Sequence, residues 1–474
     1  MNARLLLPLS LVFAQAATLI VQILVPRFLG PEEFTAFSLC WTYAQFVVIV
    51  AFEWMRSATI RFSMGADRLA AVKRRRVLTR LYALISAALL GLSVTCFVFS
   101  LWWQWAGAIA AAAAYAAFRG LFEGAQAIAR AELKNMRFVS TWLTGSILSL
   151  ILTLTFAWVS KSGLVAFWGM SLSFGLAASF HYFLKLLRGF SPKTWDSEQF
   201  IFLRQYGTYI ALTSVLTSLM PPLVRSMVAL GVGKFEGAGA LLALDLSQKL
   251  LASVGLAFNL VFVQYAIRIA EYGSREELIR RLTFQTAAAA AIIFPAGIGF
   301  LVIQPNLLDL LIPEPYRHSY LIAVTLATLS ACLMAFKSYG IDALFVVVGR
   351  SNRAVIGPVT ALCVACICAW AGAYVFQQSL KLILAAQFIG LATGALVSMY
   401  YARKETKIRW PFFEFGKVAL GCVIIAASVG SIPGSGGAGH LAICVLVGTM
   451  VYCFYAFISD LCGIRSRILS TKLF

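Results

Sequence analysis

Long unbroken apolar runs, separated by short polar turns, set the pattern of this chain. A run of roughly 20 apolar residues is long enough to cross the hydrocarbon core of a bilayer as an α-helix. A helix is required there because no water is present to satisfy backbone N–H and C=O groups. The short alternating segments of a membrane β-barrel are missing, so the pattern predicts a helical bundle. Fourteen helices are expected: Leu5–Phe28, Ala36–Ile60, Leu81–Trp102, Trp105–Ile128, Phe138–Val159, Gly163–Leu184, Gly207–Leu230, Gly237–Val263, Thr283–Val302, Tyr320–Val347, Ala354–Phe376, Leu380–Tyr401, Pro411–Val429 and Leu441–Ile458. The division within Leu81–Ile128 rests on Trp103 and Gln104 alone.

Composition agrees. Of 474 residues 61% are hydrophobic and 12% charged, against about 45–50% and about 25% in soluble domains. Mean hydropathy is +0.86. A soluble globular protein, a disordered chain and a coiled coil are excluded. The formal charge of +20 would suggest nucleic acid in a soluble protein. In a membrane protein the positive-inside rule must be applied first. With the N-terminus inside, 28 of the 39 Lys and Arg fall in inner segments, 5 in outer segments and 6 within spans. The bias persists to the end of the chain, so both termini are expected in the cytoplasm of a multi-pass protein of the cell inner membrane. Acidic residues divide 9 inside, 5 outside and 5 in spans, which assigns nearly all of the excess to topology. Nucleic acid is not needed as a partner. The first helix is too long for a secretory signal and no cleavage site follows it. No loop is long enough for a soluble catalytic domain, so function is expected within the bundle.

The two halves echo each other. Leu29-Gly-Pro-Glu-Glu-Phe34 precedes the second helix and Leu230-Gly-Val-Gly-Lys-Phe235 the eighth, both L-G-x-x-x-F at an outer turn. Six helices separate them, an even number that preserves orientation, as in a parallel repeat. The expected organisation is an N-terminal six-helix lobe over 1–190, a cytoplasmic connector over 191–204, a second six-helix lobe over 205–402, and an additional helix pair with a tail over 403–474.

Charges inside the spans carry the candidate chemistry, because an ionised side chain at mid-bilayer costs at least about 2.5–3.5 kcal/mol. Glu53 and Arg56 stand at i, i+3; Arg119 and Glu123, and Asp245 and Lys249, at i, i+4; Lys337 and Asp342 share the tenth helix; Arg225 follows Pro221-Pro222 in the seventh. Such spacing puts opposite charges on one helix face. One reading is a set of self-neutralised pairs turned into the bundle, with Arg56 and Arg225 snorkelling to the surfaces. The other is a water-filled cavity lined by Arg56, Arg119, Arg225, Lys249 and Lys337, which would bind an anionic substrate. Glu53, Glu123, Asp245 and Asp342 would then balance charge or couple an ion. Gln15 and Gln22 share a face of the first helix. Pro221-Pro222 is expected to break or kink the seventh helix, and Pro295 to interrupt the ninth. Cys363, Cys366 and Cys368 lie in an apolar helix without His or carboxylate nearby and read as packing residues. No metal site, cofactor or catalytic residue is expected.

Several of these stretches resemble one family. Arg27-Phe-Leu-Gly-Pro-Glu-Glu-Phe34, the helix Ala238–Lys249, Phe294-Pro-Ala-Gly-Ile-Gly299 and Lys337-Ser-Tyr-Gly-Ile-Asp342 are similar, in order and spacing, to motifs of the polysaccharide-transporter, Wzx-type flippases. Their superfamily, the multidrug/oligosaccharidyl-lipid/polysaccharide (MOP) flippases, also holds multidrug extruders and lipid II flippases. Leu241 stands where the family motif has Tyr. The resemblance implies two six-helix lobes that move a polyprenyl-pyrophosphate-linked oligosaccharide to the outer leaflet by alternating access. Such a protein would serve lipopolysaccharide or exopolysaccharide synthesis, beside a polymerase and a chain-length regulator, with H+ or Na+ gradient coupling. The five basic residues would contact the anionic headgroup or sugar. A multidrug or cation exporter of the same fold is the alternative, and a glycan polymerase or ligase is a third reading that the short outer loops disfavour.

Overall fold

The computed structural model describes residues 3–62, 68–103, 105–132, 134–189, 196–348, 351–376, 379–434 and 437–469. Residues 191–195 of the expected connector and the last residues of the tail lie outside them. Among the described residues the protein is all helix, without strands. The helices are α1 Ala3–Phe28, α2 Pro31–Phe62, α3 Arg68–Phe99, α4 Ala106–Ala131, α5 Asn135–Ser160, α6 Gly163–Gly189, α7 Ser197–Gly231, α8 Lys234–Tyr272, α9 Arg275–Val302, α10 Gln304–Leu311, α11 Arg317–Phe336, α12 Ala343–Val348, α13 Ser351–Ala354, α14 Ile356–Phe376, α15 Leu380–Thr406, α16 Phe412–Gly430, α17 Ala438–Ile458 and α18 Ile464–Leu469. A helix occupies each of the fourteen expected spans, the tenth being α11 and α12 joined by a π-helical turn. Ten spans among the described residues are long and apolar enough to cross a membrane. Helix α3 ends at Phe99 and α4 begins at Ala106, on either side of the expected division, of which Gln104 lies outside the described residues.

The chain forms two compact units, Met1–Ala238 and Gly239–Phe474. In the first, α4 packs against α2, α3 and α6, while α1 lies against α5 and α7 against α2. Two glycines set the α4 packing. A Cβ on Gly120 would fall 2.3 Å from the Phe52 ring and one on Gly124 3.0 Å from Tyr82. Phe52 and Tyr82 are themselves stacked, ring centroids 5.7 Å apart. As in the small-xxx-small pattern of membrane helices, the missing side chains leave room for a neighbour, here the two aromatic rings. Glu33 of the first L-G-x-x-x-F turn accepts a hydrogen bond from Gly163 N at 2.7 Å, placing a carboxylate on the N-terminus of α6 where the helix dipole favours it. Thr35 Oγ1 donates to Lys234 O at 2.7 Å, so the two sequence echoes lie against each other.

The polar start of α3 is also structural. Arg75 pairs with Glu132 at 2.9 Å, Arg74 Nε donates to Gln199 Oε1 at 2.8 Å, and Lys73 lies 3.6 Å from Asp196. Asp196 in turn accepts from Gln199 N and caps α7. Of the break or kink expected at Pro221-Pro222, a break does not occur: helix α7 continues through both prolines. Lipid-facing helices tolerate proline where neighbours and local hydroxyl groups compensate for the lost backbone bonds.

In the second unit α15 packs along α14 and against α11, and α9 against α11 and α16. Pro295 lies inside α9 without ending it. Its missing N–H strands the carbonyl four residues back, Ala291. Tyr452 of α17 donates to that carbonyl at 2.6 Å. The C-terminal helix pair, outside the repeat by sequence, therefore docks on α9 and supplies the hydrogen bond that its proline removes.

Candidate functional site: charge pairs within the helices of both units

The first unit collects five of the predicted residues, four of them in two ion pairs. On α2, Arg56 Nη2 donates to Glu53 Oε1 at 2.6 Å. On α4, Arg119 Nε donates to Glu123 Oε1 at 2.9 Å. The two pairs are neighbours, because Glu123 and Tyr82 lie within electrostatic range of Arg56. Arg119 and Glu123 each precede one of the close-packed glycines, so the contact that seats α4 on Phe52 and Tyr82 also brings its charges to those of α2. Aromatic rings wall the group. The Arg119 guanidinium carbon sits 4.4 Å from the centroid of Phe174 on α6 and 5.3 Å from that of Phe122, distances at which a cation is held by the ring face. Tyr115, one turn before Arg119, accepts from Gln45 Nε2.

The two arginines differ. The Arg119 side chain is 24% exposed and fixed between a carboxylate and two rings, whereas Arg56 is 43% exposed. Tyr82, Tyr115, Gln45 and Phe174 were not among the predicted site residues. The Gly120-x-x-x-Gly124 spacing was the sequence signal that could have found their neighbourhood. Arg225 of α7 is 3% exposed, covered by protein rather than snorkelling. The adjacent Ser226 hydroxyl is hydrogen-bonded to Tyr43 of α2.

The second unit holds the other four. Lys337 Nζ lies 2.5 Å from Asp342 Oδ2, within the π-helical turn Lys337–Asp342. Lys337 is 3% exposed. The Ser398 hydroxyl of α15 lies beside the Asp342 carboxylate. On α8, Asp245 is buried and Lys249 half-buried. Two residues beyond Asp245, Ser247 shares a 2.9 Å hydrogen bond with Thr328 of α11. Gln22 of α1 is buried and its amide meets no hydrogen-bond partner among the described residues. Cys363 and Cys366 are exposed on α14. No group of three or more His, Cys, Asp or Glu that could hold a metal occurs among the described residues.

The arrangement sets cations close to carboxylates, with aromatic rings around Arg119. No family model and no curated protein matches the chain. Solved structures do. Over 96% of this chain and 99% of the other, it is similar to the lipid II flippase MurJ in an inward closed conformation, at a TM-score of 0.71 and 13% identity. A MATE transporter in complex with MaL6 is similar at a TM-score of 0.63 and 17% identity, over 85% of this chain and 95% of that one. A MOP-superfamily transporter from Pyrococcus furiosus, described as having a reverse polarity of its binding pocket, is similar at a TM-score of 0.56 and 16% identity, over 85% of this chain and 95% of that one. The protein thus has the fold of the MOP-superfamily transporters.

Proposed function

We propose that the protein is a flippase that carries a polyprenyl-pyrophosphate-linked oligosaccharide from the cytoplasmic to the outer leaflet by alternating access, for cell-surface polysaccharide synthesis. The observation that carries this reading is the Arg56–Glu53 and Arg119–Glu123 group. Arg119, held by Phe174 and Glu123, gives a fixed positive field; Arg56, the more exposed, exchanges Glu53 for a pyrophosphate oxygen. Guanidinium groups recognise phosphate through paired, charge-assisted hydrogen bonds. The aromatic walls suit a sugar or prenyl surface. Arg225, Lys249 and Lys337 add positive charge to the path; Asp245 and Asp342 balance it or couple transport to an H+ or Na+ gradient. The lipid II flippase among the similar folds supports a lipid-linked substrate. On this reading the protein lies in the inner membrane with both termini cytoplasmic and works beside a polymerase and a chain-length regulator, as a Wzx-type transporter does.

A second reading, export of drugs or organic cations, draws on the same quartet, since each arginine is matched by a glutamate, and on the MATE-like fold. A deletion strain separates the two. The flippase reading predicts lipid-linked repeat units accumulating on the inner leaflet and unchanged drug susceptibility. Hypersusceptibility to cationic drugs with normal surface polysaccharide would establish the exporter instead.

A further inference from the structure

The rod formed by α11 and α12 contains one irregular turn, and that turn carries a buried ion pair. Lys337–Asp342 is a π-helix of six residues between two α-helical segments. Its two charged ends are five residues apart. In an α-helix, at about 100° per residue, positions five apart project about 140° from one another and cannot pair. A π-turn closes i to i+5, which stacks them. The 2.5 Å contact between Lys337 Nζ and Asp342 Oδ2 is therefore a property of the π register.

The neighbours accommodate this register. Gly340, inside the turn, is buried, and its carbonyl accepts a hydrogen bond from Thr286 Oγ1 of α9 at 3.2 Å. The same hydroxyl reaches Leu282 O at 3.0 Å. A Cβ on Gly255 of α8 would fall 2.1 Å from the Tyr339 ring, so Tyr339 occupies a space that only glycine leaves. Ser398 of α15 lies beside the Asp342 carboxylate. The turn is thus held by one ion pair, one shared hydroxyl and one ring, all within the second unit.

We propose that Lys337–Asp342 is a register switch: the buried ion pair pins the π-turn in the state seen here, and its release lets the turn close to an α-helix. Closing the turn passes its extra residue along α12 toward Val348 and rotates Ala343–Val348 by about 100° relative to α11. Any event that takes the ammonium from Asp342 then favours the α register, because a two-state element follows whichever ligand discriminates between its states. On this account Lys337 and Asp342 are positioning residues that set the orientation of α12.

The test uses the full chain in lipid nanodiscs, its ten native cysteines replaced, with spin labels at Val348→Cys on α12 and Leu396→Cys on the exposed face of α15. Three variants separate the ion pair from the register. The exchange Lys337→Asp/Asp342→Lys keeps a pair and should keep the parental distance. Lys337→Met/Asp342→Asn removes the pair and should add a second distance population. Deletion of Ser338 removes the extra residue and leaves Lys337 and Asp342 four apart, a spacing that an α-helix can pair; α12 then has no residue to take up and should show the parental distance alone, unable to switch. Flipping by the deletion variant should fall by about tenfold at unchanged folded yield, the scale of a typical conformational coupling. The transport arm rests on the flippase reading; the distance arm does not. If the double-neutral variant keeps the parental distance distribution, or the deletion variant flips at the parental rate, the switch is refuted. If the parent flips nothing while the distances behave as expected, the substrate assignment fails and the switch stands.

Discussion

Arg119 and Glu123 owe their positions to the residues that follow them. Gly120 and Gly124 lie against Phe52 and Tyr82, so Gly120→Val should overpack that contact and lower stability by about 1–3 kcal/mol. Gly91→Val on α3, where nothing lies within 4 Å of the added Cβ, is the control; thermal unfolding in detergent compares the two. The ion pair predicts non-additivity. Arg119→Met alone or Glu123→Gln alone leaves a partly buried charge or donor unmatched and should cost about 1–3 kcal/mol. The double variant should be more stable than the sum of the singles; strict additivity would mean that the two side chains do not interact. The opposite sequence charges at i, i+3 and i, i+4 did show that these residues pair. They could not show which helices share a site, because that depends on glycine–aromatic contacts between segments distant in the chain.

At the scale of elements, proline and the C-terminal pair are coupled. Tyr452→Phe removes the donor to the Ala291 carbonyl that Pro295 strands and should destabilise by about 1 kcal/mol. In Pro295→Ala the restored backbone N–H supplies the missing bond, so Tyr452→Phe should then cost less; unfolding of the four-member cycle measures the difference. The turn after α17 carries a pH dependence. Asp460 accepts from the Ser466 N–H at 3.1 Å and from the Ser466 hydroxyl, and these bonds hold its carboxyl below the usual aspartate range. A depressed folded pKa stabilises above the unfolded value, about 3.9, and the benefit is lost as pH falls through the folded pKa. Amide exchange at Ser466, corrected for intrinsic rate, should therefore be flat from neutral pH to about pH 5 and accelerate below the unfolded pKa, about 3.9; in Asp460→Asn that acid-linked loss should vanish. Helix placement was legible in the sequence, down to the division between α3 and α4, because apolar length alone decides it. The unbroken α7 and the π-turn were not, because neighbouring helices rather than local sequence hold an irregular backbone in place.

At the scale of the molecule, the net charge of +20 separates into two kinds. Most lies in the polar segments between spans, and some of it is used internally: Lys73, Arg74 and Arg75 tie α3 to the start of α7 and to Glu132. Within the spans, basic and acidic residues nearly balance, distributed over both units. Near-neutrality in the bundle and the freedom of Arg56 relative to Arg119 underlie the proposal that an anionic headgroup displaces an internal carboxylate. Reconstituted flipping of a fluorescent polyprenyl-pyrophosphate oligosaccharide in proteoliposomes, read by its accessibility to an external quencher, tests this most directly. The account predicts transport by the parent and a loss of about 10–100-fold per folded protein in Arg56→Met and Arg119→Met. Parental rates in both variants, or no transport of this lipid by well-folded parent protein, would contradict it.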